Sequence, residues 1–208
     1  MNRPGQQVEL LEVASGNSVV AMLFEGLTPA NIDFHEKRWR PVLEEARKKA
    51  AEWRAKGVQV IGPEDAHWDW KAKFDRSQRK PLVYRDYAIE YAGSTEGMMQ
   101  LNLATQRSRI EQGKPLVYVE FVQTAPWNRP TIVRQPRFRR VGTLLIMEAV
   151  GVSTLEGFGG RIGLHALPSA VDFYRKMSMR SFGQDASHQN LEYFELSGQD
   201  AVNFLAHI

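Results

Sequence analysis

Residues 137–177 read RFRRVGTLLIMEAVGVSTLEGFGGRIGLHALPSAVDFYRKM, and the reading of this stretch decides the fold. An arginine-crowded turn opens it, and a helical pattern begins at Gly142. A short strand follows around 161–167, and a second helix closes the stretch with Tyr174 near its end. A basic turn that runs straight into a helix N-terminus is an anion trap, because the unpaired backbone N–H groups and the helix dipole both face the incoming negative charge. The run Gly157-Phe158-Gly159-Gly160 resembles a phosphate-cradling loop, but it follows a helix instead of preceding one. It reads as a helix stop and a tight turn.

Outward from this stretch, the pattern is one of strands and helices in alternation. VELLEVA and SVVAMLFEG are β-rich runs separated by Ser15-Gly16-Asn17-Ser18, which reads as a turn. Thr28-Pro29 offers a helix cap with proline at the first helical position. Pro41 disfavours helix at Arg40 and predicts the start of a second helix. In that helix Leu43, Ala46, Ala50 and Trp53 share one face, and Gly57 ends it. The segment 61–80 has little periodicity and reads as a connector with one short helix. RDYAIEYAG and GMMQLNLAT predict strands around a turn at Ser94-Thr95. After Gln112-Gly113-Lys114-Pro115 comes LVYVEFVQTA, apolar on both phases except Glu120 and Gln123, as in a central strand covered on both faces. LEYFELS predicts a last strand and QDAVNFLAHI a closing helix.

Composition sets the outer bounds. The chain has 208 residues, 43% hydrophobic and 25% charged, the profile of one globular α/β domain spanning 1–208. No apolar run approaches a membrane span, and the N-terminus lacks a signal-peptide core. There is no cysteine, so disulfides, thiolate metal sites and cysteine nucleophiles are excluded. A cytoplasmic location is compatible with all of this. The net charge is +3 but unevenly spread, with five arginines and no acid between Arg129 and Arg140. A second basic segment runs from Lys71 to Arg85. Nucleic acid is disfavoured as a partner, since the interleaved aromatics of a stacking platform are missing. The five histidines are scattered, so no metal ligand set is expected. His165, inside IGLHAL, reads first as a hydrogen-bonded core histidine.

The order of elements resembles the GNAT N-acetyltransferases, with the closest motif likeness over Val117–Met179. The family's pyrophosphate signature, Gln/Arg-x-x-Gly-x-Gly/Ala, is met by Arg137 and Gly142, with Leu145 at the expected leucine. Arg140 stands at the middle glycine. The segment Ala170–Met179 resembles A-x-x-[FL]-Y-x-k-x-G-[FM], with Ser178 at the glycine, and Leu167 stands where many members have asparagine. The resemblance implies a GNAT-like mixed central sheet flanked by helices, a splayed central strand and a CoA-binding core at about 115–180.

It further implies acetyl-CoA as cosubstrate, held by Val122, Gln123, Thr124, Arg137, Arg139, Arg140, Val141, Gly142, Thr143 and Tyr174. Tyr174 is the expected acid that protonates the departing thiolate; a half-buried aromatic anchoring its helix is the other reading. Glu120 is the candidate base, since a carboxylate within an apolar strand is expected to have a raised pKa. Pairing with an arginine or exposure at an edge remain open for it. Trp68, Trp70 and Trp127 are candidates to line the acceptor pocket, with core packing the alternative for the first two. The function implied is acetyl transfer to a primary amine on a small molecule or peptide, by direct attack in a ternary complex. A catalytically silent domain that binds CoA or another phosphorylated ligand is the alternative. A homodimer is left open.

Overall fold

Alternating side chains and a five-residue turn make the first hairpin. Strands β1 (Gly5–Glu12) and β2 (Ser18–Glu25) pair antiparallel from Gly5↔Phe24 to Leu11↔Ser18. The computed structural model that shows this describes residues 3, 5–104 and 106–206. Thr105, predicted to end a strand, and His207 and Ile208, predicted to end the last helix, lie outside the described residues.

Helix α1 (Pro29–Phe34) starts at a capping box. The Thr28 hydroxyl accepts from the Asn31 N–H, the Asn31 side chain reaches back to the Thr28 N–H, and Pro29 fills the first position. The helix does not break before Pro41 as the sequence predicts. It widens into a π-helical turn over His35–Trp39 and continues as α2 (Arg40–Ala55). The Arg40 N–H bonds to the His35 carbonyl five residues back, and Arg40 itself is helical. The wider turn accommodates a proline ring that a regular helix would push against the preceding turn. Gly57 closes α2 at φ +80°, donating to Arg54 O at 2.9 Å, while the Val58 N–H takes Trp53 O at 3.1 Å.

Helix α3 (Trp70–Arg79) is the short helix expected in the connector, with Asp69 accepting from the Ala72 N–H at 2.9 Å. Strands β3 (Tyr84–Tyr91) and β4 (Ser94–Asn102) turn at Ala92-Gly93, not at Ser94-Thr95. Both turn residues have positive φ, 47° and 76°, as a two-residue hairpin loop requires. Then come β5 (Val117–Thr124), the two-residue β6 (Phe138–Arg139), α4 (Val141–Leu155) and β7 (Ile162–Ala166). A 3-10 turn at Pro168–Ala170 leads into the six-residue α5 (Val171–Lys176). The chain continues with β8 (Arg180–Asp185), β9 (Leu191–Leu196) and α6 (Gly198–Ala206). Strand β8 was not expected from its polar sequence RSFGQD. It is an edge strand with a register break between Ser181 and Gln184 and Gly183 at φ +77°.

The strands form one mixed sheet in the order β6-β1-β2-β3-β4-β5-β7-β9-β8, with helices flanking it. The parallel pair is β5 with β7, in register at Val117↔Ile162 and Tyr118↔Gly163. Past Tyr118 no register joins these two strands among the described residues, so β5 runs on away from its parallel neighbour. No helix among the described residues is long and apolar enough to cross a membrane.

Two compact units divide the chain. The first comprises the segments up to Arg79, Asp86–Met99 and Val122–Leu145, and its core holds Leu10, Leu23, Trp39, Leu43, Trp70, Ile89 and Phe138. In it, Gly97 lets the start of α4 lie close on β4: a Cβ there would come within 2.7 Å of Val141 Cγ1 and 3.0 Å of Leu145 Cδ1. The second comprises Lys80–Arg85, Gln100–Phe121 and the chain from Ile146 onward, with Leu116, Val117, Val150, Leu164, Tyr174 and Phe194 in its core.

Candidate functional site: the start of helix α4 and the strand residues

The arginine-crowded turn is tied in place before α4 begins. The Val13 N–H donates to Arg137 O at 2.9 Å, and the Arg137 N–H donates to Trp127 O at 2.9 Å. The Phe138 N–H is held by Asn128 Oδ1 at 3.0 Å, and β6 pairs with the end of β1. Arg140 follows at φ +74°, a left-handed conformation that costs an ordinary residue about 1–2 kcal/mol and glycine almost nothing. Thus the position that carries glycine in the resembling motif keeps the backbone shape for which glycine is suited. Ser178, at the other replaced glycine, also lies in the left-handed region, at φ +59°.

Helix α4 begins at Val141, one residue before the predicted start. Its first intrahelical bond runs from Leu144 N–H to Arg140 O. The N–H groups of Val141, Gly142 and Thr143 donate to no described residue, and an arginine at the cap position has no acceptor to offer them. The side chains of Arg139 and Arg140 are exposed and have no carboxylate partner among the described residues. Free amides beside two unneutralised guanidiniums are the chemistry that attracts an anion.

Arg137 is otherwise engaged. Its guanidinium lies 3.1 Å from Glu96 Oε1 and stacks 4.7 Å from the Phe138 ring and 5.5 Å from the Tyr91 ring. Glu96, fully buried on β4, also accepts from Trp127 Nε1 at 2.8 Å and Asn128 Nδ2 at 2.7 Å. Sequence reasoning missed this carboxylate, which fastens the loop before α4. The Trp127 ring, half-buried, packs edge-on against Phe34 and Trp39.

On β5, Gln123 is a buried hub. Its Oε1 accepts from Trp70 Nε1 at 2.5 Å, and its Nε2 donates to Asp65 Oδ2 at 2.8 Å. Trp70 is itself fully buried, so its indole serves the core and its N–H is committed to Gln123. Trp68 is half-buried beneath the Lys73 ammonium, 5.5 Å from its ring. Arg129 binds Asp65 at 2.7–2.8 Å and caps Thr124 O with Nε at 2.9 Å and Nη2 at 2.7 Å. Val122, directly before Gln123, is half-buried. Nearby in this unit, His35 Nε2 is sealed from solvent without a hydrogen bond, and burial depresses the pKa of the ring despite Glu36 at 3.3 Å.

Burial works to raise the Asp65 pKa, but the Arg129 charge and the hydrogen bonds from Arg129 and Gln123 prevail and hold it below the usual value. A carboxylate with a depressed folded pKa adds stability above its unfolded pKa of about 3.9, and loses it as pH falls through the folded value. Asp65→Asn should therefore flatten the acid limb of the stability profile below about pH 4, measured by urea unfolding across pH. An acid limb as steep as the parent's would assign the pH dependence to other carboxylates.

In the second unit Glu120 is half-buried and accepts from Asn102 Nδ2 at 2.8 Å. Two residues earlier, the Tyr118 hydroxyl meets His165 Nδ1 at 2.6 Å, and burial together with the Glu120 charge pushes the phenol pKa up. His165 Nε2 faces Asp185 Oδ2 at 3.2 Å, which agrees with a hydrogen-bonded histidine. Tyr174 is 4% exposed, packed against Phe173 and Phe194 at 5.1 and 5.9 Å between ring centres. Its hydroxyl has no hydrogen-bond partner among the described residues, and burial raises its pKa, so it is a neutral donor at ordinary pH. The expectation of scattered histidines needs correcting: folding brings His165 and His188 together with Asp185, their ligand atoms within 4.8 Å of one another. Asp185 and His188 are three positions apart, but His165 lies 20 positions before Asp185, too far for spacing to reveal the cluster.

No protein-family model matches the chain, and no curated protein matches it. Solved structures do. PaiA N-acetyltransferase from Thermoplasma acidophilum, solved in complex with coenzyme A, aligns with a TM-score of 0.53 at 12% identity, over 83% of this chain and 97% of that one. A GNAT-family protein from Desulfovibrio desulfuricans gives 0.54 at 12% identity, over 86% and 99%. The GNAT domain of S. lividans PAT gives 0.55 at 9% identity, over 91% and 96%. Such low identities speak for architecture alone. The mixed sheet with its flanking helices is the architecture these proteins share, and the chain has the GNAT fold.

Proposed function

We propose that this protein is an acetyl-CoA-dependent N-acyltransferase that moves an acetyl group to a primary amine by direct attack in a ternary complex. The observation that carries the proposal is the start of α4, where three free amides follow the unpaired guanidiniums of Arg139 and Arg140. The fold-level likeness to acetyltransferases, one of them solved with coenzyme A, supports the identity of the anion. In this reading the amides of Val141, Gly142 and Thr143 take the pyrophosphate, with Arg139 and Arg140 adding charge. Arg137 fixes the turn through Glu96. The backbone of Val122, Gln123 and Thr124 receives the pantetheine arm, with the Thr124 carbonyl already taken by Arg129.

The amine nitrogen attacks the thioester carbonyl, a C–N bond forms and the C–S bond breaks. Glu120, directly or through water, accepts the amine proton, and Tyr174 gives its proton to the departing thiolate. Positioning and polarisation of the carbonyl supply most of the rate. The acceptor, a small-molecule or peptide amine lined by Trp68 or Trp127, and a cytoplasmic place of action belong to the same proposal. The replaced glycines at Arg140 and Ser178 favour a second reading, a domain that binds CoA without transferring the acetyl group.

Acetyl-CoA at a hundred times its dissociation constant should stabilise the protein by about 2.7 kcal/mol, read as a rise in melting temperature. No shift at millimolar acetyl-CoA or CoA would remove both readings. Thiol release over a panel of amines then separates them.

A further inference from the structure

Three potential metal ligands meet on the second unit, and acyl transfer uses none of them. His165 lies on β7, Asp185 ends β8, and His188 sits in the 3-10 turn Ala186–His188 that follows. His165 Nε2 is 3.2 Å and His188 Nδ1 3.6 Å from the same oxygen, Asp185 Oδ2. Ligand atoms around a tetrahedral zinc ion, with bonds of about 2.0–2.1 Å, stand about 3.3–3.4 Å apart. The observed spacings bracket that value.

The surroundings hold these groups as outer-shell partners hold metal ligands. The Tyr118 hydroxyl fixes His165 through Nδ1 at 2.6 Å and leaves Nε2 facing the cluster. Asp185 Oδ1 is pinned by the Ser187 N–H at 3.0 Å and the Ser187 hydroxyl at 2.5 Å, which turns Oδ2 toward the histidines. Gln189 and Asn190, both at positive φ (56° and 58°), bend the turn that carries His188 over His165. Two adjacent non-glycine residues in that conformation mark a turn held under strain by its surroundings.

We propose that His165, Asp185 and His188 bind a zinc-class divalent cation, with a fourth position open to water. Three features oppose the ion and must yield. The His165 and His188 rings are stacked at 3.8 Å and 10°, so their in-plane lone pairs do not converge until one ring tilts. Arg109 Nη2 occupies Asp185 Oδ2 at 2.7 Å, and the Ser187 hydroxyl touches His188 Nδ1 at 2.9 Å. The side chains that have to move, His188 and Arg109, are 42% and 45% exposed. An ion pair so exposed contributes little, and a divalent cation bonded directly to the carboxylate outcompetes it. His165, buried and fixed at Nδ1, stays in place.

The test uses the full chain without an affinity tag, stripped with chelator, titrated with zinc chloride by calorimetry and with cobalt(II) by visible absorption. The expected result is saturable binding of one ion per chain, with the intense visible bands of low-coordinate cobalt(II). His188→Ala, a change on the surface, should weaken zinc binding by about 100-fold or more, with the circular dichroism spectrum unchanged. If that spectrum changes, Asp185→Asn takes its place with the same expected loss. A titration that shows no saturable binding, or binding that neither variant weakens, overturns the proposal.

Discussion

Tyr174→Phe is expected to lower turnover by about 10²–10⁴-fold, the span of a positioned general acid, while acetyl-CoA affinity stays nearly constant. The replacement keeps the ring and its packing against Phe173 and Phe194. It removes a buried hydroxyl with no hydrogen-bond partner among the described residues, so folding stability should hold or rise. A large loss of rate with neither a loss of binding nor a loss of fold isolates the proton transfer. Steady-state rates of thiol release and a calorimetric acetyl-CoA titration supply the two readouts. An active enzyme whose Phe variant keeps full rate would leave Tyr174 with packing alone and hand the proton to water. A protein that binds acetyl-CoA and turns over nothing would favour the binding-only reading.

Glu96→Ala should cost about 2–4 kcal/mol of stability, mostly from the half-buried Trp127 and Asn128 donors it leaves unsatisfied, since Arg137 is 42% exposed. The carboxylate has no solvent exposure and accepts from three groups: Arg137 Nη1, Trp127 Nε1 and Asn128 Nδ2. Truncation strands those donors, two of them on the turn that precedes β6. Glu96→Gln keeps one acceptor oxygen and should lose less. Urea unfolding measures both, and midpoints within error of the parent would show that the loop does not depend on Glu96. CoA affinity in Glu96→Gln should also fall, because Arg137 anchors the turn that Arg139 and Arg140 extend.

What was legible in the sequence was local. The β1–β2 hairpin, the Gly57 stop, the α4 helix with its glycine terminator and the α6 helix all follow from neighbouring residues. So does the start of α4 directly after the basic turn, where Arg139, Arg140 and the first helical residue are neighbours. The π-turn was hidden because Pro41 is usually a boundary, and only backbone widening, which no residue type announces, lets the helix pass through it. Strand β8 was hidden because an edge strand has one partner and a polar outer face, so neither hydrophobic period nor composition marks it. The Ala92-Gly93 turn lost out to the more turn-like Ser94-Thr95. Long-range polar pairs were out of reach: Glu96 with Arg137, Asp65 with Arg129, and His165 with Asp185 join residues that 20 to 64 positions separate.

Arg140 in a left-handed conformation means that the turn before α4 does not hold its own shape. A residue that would prefer to relax is kept there by the tie from Val13 to Arg137, the tie from Arg137 to Trp127 and the grip of Asn128 on Phe138. These bonds exist without any ligand, so in the proposed reading the geometry is preorganised, and an incoming phosphate would have no loop to order. A flexible glycine turn would spend part of its binding energy on that ordering. By the same reasoning, slow tightening of the turn should not limit association here, and affinity depends on the neighbouring strand and loop as much as on the residues that touch the anion.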